Sequence, residues 1–105
     1  MREQTEEKGR ADMAEARRWI ERNPDAYAYM LTLARREADA GRAWGMALLV
    51  ERVRRLDFAD VEGKSFKGVN NTICPALARI IQDDLDAGTA AKMARTRRAA
   101  ADLAR

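Results

Sequence analysis

A chain of 105 residues is long enough for one modest hydrophobic core and short for two. Its 20 Lys and Arg against 17 Asp and Glu leave +3 at pH 7, a mild excess that permits an anionic partner without requiring one. With no histidine and a single cysteine, Cys74, an internal disulfide, an imidazole-ligated metal and a Ser/His or Cys/His catalytic pair are excluded. Carboxylates remain available, but none falls in a pattern that ordinary helix surfaces fail to explain, so the chain reads as non-enzymatic, with no cofactor and no metal site. No run approaches the ~20 apolar residues of a membrane span. The start, Met1-Arg2-Glu3-Gln4-Thr5-Glu6-Glu7-Lys8, is too polar for a signal peptide, so a cytoplasmic location without membrane contact is expected.

Met13, Ala16, Trp19 and Ile20 recur at helical spacing and predict a first amphipathic helix ending near Asn23, its first ~10 residues frayed. Asn23-Pro24 predicts the start of a second helix: Asn can cap free N–H groups, and Pro at the first helical position loses no hydrogen bond. Tyr27, Met30, Leu31, Ala34 and Ala38 hold one apolar face as far as Gly41, a residue suited to a left-handed helix end, which places helix two at about Pro24 to Ala40. From Arg42 onward, Trp44, Met46, Ala47, Leu48, Leu49, Val50, Val53 and Leu56 are apolar over more than one face, as in the central helix of a bundle. Arg52, Arg54 and Arg55 at its C-terminal end complement the helix dipole.

Asp57 to Val69 breaks the period and can form two short extended arms around Gly63, a small β-hairpin or ordered loop. Thr72 is the expected cap of helix four, because Pro75 is harmless only in the first helical turn. Leu77, Ile80, Ile81 and Leu85 supply that helix's buried stripe and leave Arg79, Gln82 and Asp83 facing outward. After Asp86 and Gly88, Thr89 is the expected cap of a fifth helix with a thin stripe of Met93, Ala100 and Leu103. The chain therefore reads as all-α: one domain over residues 1–105, a compact bundle of four to five helices with the hairpin or ordered loop between helices three and four. No repeat, low-complexity tract or linker divides it.

The residues from Val61 onward carry the whole net charge. Lys64, Lys67 and Arg79, with Lys92, Arg95 and Arg98 of the last helix, form a candidate phosphate-binding face, and Asn70, Asn71 and Thr72 place a helix N-terminus beside it. Against this, charged helix faces are more often simply solvated, and Glu62, Asp83, Asp84 and Asp86 lie close in sequence. Helices three and four do not make a helix-turn-helix, since their connection far exceeds about three or four residues and a wing would follow the recognition helix rather than precede it. Gly63-Lys64-Ser65 lacks the first glycine of a phosphate-binding loop; Phe58 stands there. Cys74 reads as packing. Trp19, Trp44 and Tyr27 read as core, whereas Tyr29, off the main stripe of helix two, and Arg54 are the anchors a protein partner would use.

Asn23-Pro24-Asp25-Ala26-Tyr27, Ala38 to Arg42, Glu51-Arg52-Val53-Arg54, Phe66-Lys67 with Asn70-Asn71, and Ala78-Arg79 together resemble a family of short uncharacterised accessory proteins of bacteriophages and prophage islands. The resemblance covers about Asn23 to Asp84. It departs in an extra residue around Gly68, in Thr72-Ile73-Cys74-Pro75 where an aromatic residue is common, and in the basic helix at the end. It implies a bacterial host cell and a phage or mobile-element setting, and carries no activity. Two functions follow: nucleic-acid binding or regulation through the basic face, or inhibition of a host defence complex by protein–protein contact, in the manner of an anti-CRISPR. A homodimer through the last helix is a third arrangement.

Overall fold

A computed structural model places four helices along the chain: α1 (Arg2–Arg22), α2 (Pro24–Asp39), α3 (Met46–Arg54) and α4 (Cys74–Leu103). It describes residues 2–66 and 68–103, with side chains over 6–66 and 68–89. Among the described residues there is no strand, and no helix is long and apolar enough to cross a membrane.

α1 is helical from Arg2, including the turns expected to fray, and buries Ala16 with Met13, Trp19 and Ile20 packed around it. Its end is built by Asn23 differently from the expected cap. The buried Asn23 side chain makes no capping bond to α2; its Nδ2 instead donates back to the Trp19 carbonyl at 3.1 Å, beside its own backbone N–H at 2.9 Å. A buried amide must find a partner, and the last orphan carbonyls of α1 supply it. Pro24 then opens α2 as expected, needing no N–H partner. α2 buries Ala26, Met30 and Ala34 and closes in a Schellman turn: Gly41, at φ 75°, donates to the Ala38 carbonyl at 3.0 Å and Arg42 N–H to that of Glu37 at 2.8 Å. The Arg42 guanidinium also grips the Glu37 carboxylate at 2.7 Å.

The expected central helix is a short one. α3 buries only Leu49 and Val53, while Trp44 precedes it and Leu56, 42 % exposed, lies beyond it. The broad apolar run splits because only its middle is helical. α2 meets all three other helices, and α4 packs on both α1 and α2, burying Leu77, Ile80, Ile81 and Leu85, the predicted stripe. Ile73, just before it, is buried as well.

Between α3 and α4 the chain makes an ordered loop with a single antiparallel bridge, Ala59 to Ser65, in place of a hairpin. Asp60 organises it: its N–H donates to the Lys64 carbonyl at 2.8 Å, and its Oδ1 accepts the N–H groups of Glu62 and Lys64, each at 2.9 Å. Satisfied locally by one aspartate, the turn has no need of paired strands. Val61 N–H donates to the Arg22 carbonyl at 2.9 Å, and Phe66 meets Trp19 edge to face, so the loop is fastened to the end of α1.

Two further expectations give way in α4. Thr72 does not cap it: Asn70 Oδ1 accepts the Thr72 N–H at 2.9 Å, the helix begins at Cys74, and Pro75 still lies in its first turn. There is also no separate fifth helix, since α4 runs unbroken through Gly88 and Thr89. Ala87, Ala90, Ala91, Lys92 and Met93 are strong helix formers, enough to carry the helix across one glycine that costs about 1 kcal/mol. That glycine has a packing role, because a Cβ at Gly88 would lie 2.4 Å from Nη2 of Arg35 on α2.

Candidate functional site

α1 and α4 run antiparallel. Trp19 and Ile73 line one groove, and Arg10 and Met13 line another with Arg79. This frame decides which of the predicted cations can act together. Lys64 is exposed on the loop at the α1 C-terminal end, its Nζ 3.3 Å from the Glu62 carboxylate in a solvated pair. Asn70 is exposed at the same end, with its carbonyl oxygen engaged by Thr72 N–H. Arg79, also exposed, lines a groove of about 600 Å³ with Glu6, Gly9, Arg10 and Met13.

Lys67 lies outside the described residues, as do the side chains of Lys92, Arg95 and Arg98, whose backbone belongs to α4. Helical rise places Arg95 about 24 Å beyond Arg79 and about 33 Å beyond Ile73 along the axis. Arg95 is therefore well separated along α4 from Arg79. Lys64 stands near the start of α4, and the backbone of Lys92, Arg95 and Arg98 belongs to its far part.

The two anchors proposed for a protein partner are also engaged. Tyr29 is half-buried with its ring centroid 5.6 Å from that of Phe58, a packing contact between α2 and the loop. Arg54 is exposed on α3, its guanidinium against Gly68, where φ is 130° and a Cβ would come within 3.2 Å of Nη2. It borders a groove of about 560 Å³ lined also by Met46, Val50, Glu51, Val69, Asn71 and Cys74. Burial pushes the Cys74 thiol pKa up, which keeps it protonated and unreactive at neutral pH.

Sequence reasoning missed two arginines. Arg18 and Arg22, one turn apart on α1, line a groove of about 200 Å³ with Glu15, Trp19, Asn70 and Ile73. The i, i+4 spacing of like charges was a visible signal, because such a pair destabilises a helix unless something else uses it. Elsewhere in the bundle, Tyr27 of α2 donates its hydroxyl proton to the Asp84 carboxylate of α4. Burial first, then this bond and the Asp84 charge, drive the Tyr27 pKa far above its ordinary value, with Arg17 opposing. These groups bridge and position; what the exposed arginines offer chemically is binding of an anion. No known protein family, no curated protein and no solved structure matches this chain.

Proposed function

We propose that the chain is a non-enzymatic nucleic-acid-binding protein that contacts backbone phosphates, an accessory or regulatory protein of the phage or mobile-element kind its sequence resembles. The supporting observation is the continuity of α4. Its core-facing register passes through Leu77, Ile81 and Leu85 to Gly88, and the last buried side chain among those described is Leu85. Carried on in steps of three and four, the same register reaches Lys92, Arg95 and Ala99. An apolar core does not accept cations at its register positions without partners, whereas a polyanion does. The composition of this segment agrees: between Asp86 and Asp102 there is no acidic residue, while Lys92, Arg95, Arg97 and Arg98 fall within it. The acids that weaken the field earlier in α4, Asp83, Asp84 and Asp86, all precede it.

The test is fluorescence anisotropy of labelled duplex and single-stranded oligonucleotides at about 50 and 200 mM salt, comparing the wild type with Arg95→Glu/Arg98→Glu. Affinity falls steeply with salt, and each lost cation lowers the slope of log affinity against log salt by about one unit. Absence of binding by the wild type at the lower salt overturns this reading and leaves inhibition of a protein partner in its place.

A further inference from the structure

The groove between the C-terminal end of α1 and the start of α4 is built for an acceptor-only group. Arg18 and Arg22 project from successive turns of α1, and among the described residues neither guanidinium takes part in an ion pair or a hydrogen bond. Asn70 reaches the groove from the loop, and because its Oδ1 is held by Thr72 N–H, the amide is left with its NH₂ to donate. Trp19 also lines the groove, its ring fixed edge to face against Phe66. Of the charged lining groups Arg18 and Arg22 are cationic and Glu15 anionic, leaving one net positive charge.

The walls are set by tertiary contacts rather than by solvent-borne side chains alone. Val61 N–H on the Arg22 carbonyl ties the loop to α1, and Ile73 is buried at the floor. At about 200 Å³ the space takes a phosphate with part of its sugar, and falls below the roughly 300 Å³ where ordinary small-molecule pockets begin. Guanidinium groups are the side chains best matched to phosphate geometry.

We infer that the groove lined by Arg18, Arg22, Asn70 and Trp19 is a second phosphate subsite for the nucleic-acid backbone, separate from the basic segment at the far end of α4. The inference rests on the nucleic-acid reading proposed above and extends it to residues on a different helix.

The experiment repeats the salt-dependent anisotropy with Arg18→Gln/Arg22→Gln, the charge-keeping Arg18→Lys/Arg22→Lys, and Arg36→Gln on α2 as a control. All three positions are exposed, and circular dichroism confirms that the helices persist. The Gln pair lowers the salt slope by about two units, so that between about 50 and 200 mM salt it loses roughly tenfold less affinity than the wild type. The Lys pair and Arg36→Gln keep the wild-type slope. In a Trp44→Phe background, oligonucleotide changes Trp19 emission, and the Gln pair abolishes that change.

An unchanged slope in the Gln pair, with Arg95→Glu/Arg98→Glu still lowering it, overturns the subsite and leaves the general reading standing. Failure of the wild type to bind any oligonucleotide overturns both. A Trp19 response to inorganic phosphate at matched ionic strength, with none to oligonucleotide, assigns the groove to free phosphate and overturns the backbone assignment.

Discussion

The continuity of α4 rests on one glycine, and the contact at that glycine predicts a non-additive pair of substitutions. Glycine within a helix costs about 1 kcal/mol relative to alanine, so Gly88→Ala in an otherwise undisturbed helix stabilises by that amount. At Gly88, however, the new Cβ would meet Arg35 Nη2 at 2.4 Å, closer than a carbon and a nitrogen come, and Cζ and Nη1 at a tight 3.0 Å. The Arg35 guanidinium must swing away, giving up its packing on α4, and the helical gain shrinks to near zero. In an Arg35→Ala background nothing obstructs the Cβ and the full ~1 kcal/mol appears. The expected coupling is therefore about 1 kcal/mol, within the range found for residues in contact. Urea denaturation followed by far-ultraviolet circular dichroism on the four proteins of the cycle measures it. Equal gains in both backgrounds would show that Arg35 does not lie against Gly88. A loss in both would mean that the helix is broken there, which would restore a separate fifth helix and remove the register argument for Lys92 and Arg95.

Asn23→Asp keeps a preferred capping residue and a charge that favours the α2 N-terminus, a gain of about 0.3–1 kcal/mol, but it has no proton to donate to the Trp19 carbonyl. Setting an acceptor against that carbonyl in a nearly buried position costs about 1–3 kcal/mol, so a net loss near 1 kcal/mol is expected in the same denaturation assay. A variant at least as stable as the wild type would make Asn23 a cap after all. Tyr27 has a raised folded pKa, so its contribution is fully present below the unfolded value near 10 and declines as pH climbs above it, because the folded state resists ionisation beside Asp84. Tyr27→Phe should remove that alkaline component from the stability-against-pH curve, and identical curves for the two proteins would refute it.

What could be read from the sequence is what acts through the backbone alone or through strict periodicity. Pro24 fixes the start of α2 by its missing N–H, and Gly41 fixes its end by adopting a positive φ; neither needs a tertiary partner. The buried stripe of α4 followed from spacing because one face meets one core. The errors arose where local preference was weak and a distant group decided. Gly88 and Thr89 look like a helix break, but a preference of about 1 kcal/mol yields to alanine-rich neighbours, and Arg35 fills the space the glycine leaves. Asn23 looks like a cap for the helix after it, and serves the helix before it because that carbonyl is the one within reach. The apolar run from Trp44 to Leu56 looks central, although its ends lie outside a helix that buries two residues.

The candidate site was legible only in its cationic half for the same reason. The expected fifth helix drew attention because its cations are contiguous in sequence, whereas the groove joins Arg18 and Arg22 to Asn70, residues that meet only after the loop is fastened to α1 through Val61 and Phe66. The antiparallel frame then sets the geometry of the proposed interaction. The groove and Arg95 stand about 33 Å apart along α4, close to the ~34 Å of one turn of B-form DNA. On the proposed reading, a chain of only +3 binds a polyanion through the cations gathered in the groove and in the last part of α4 rather than through its net charge.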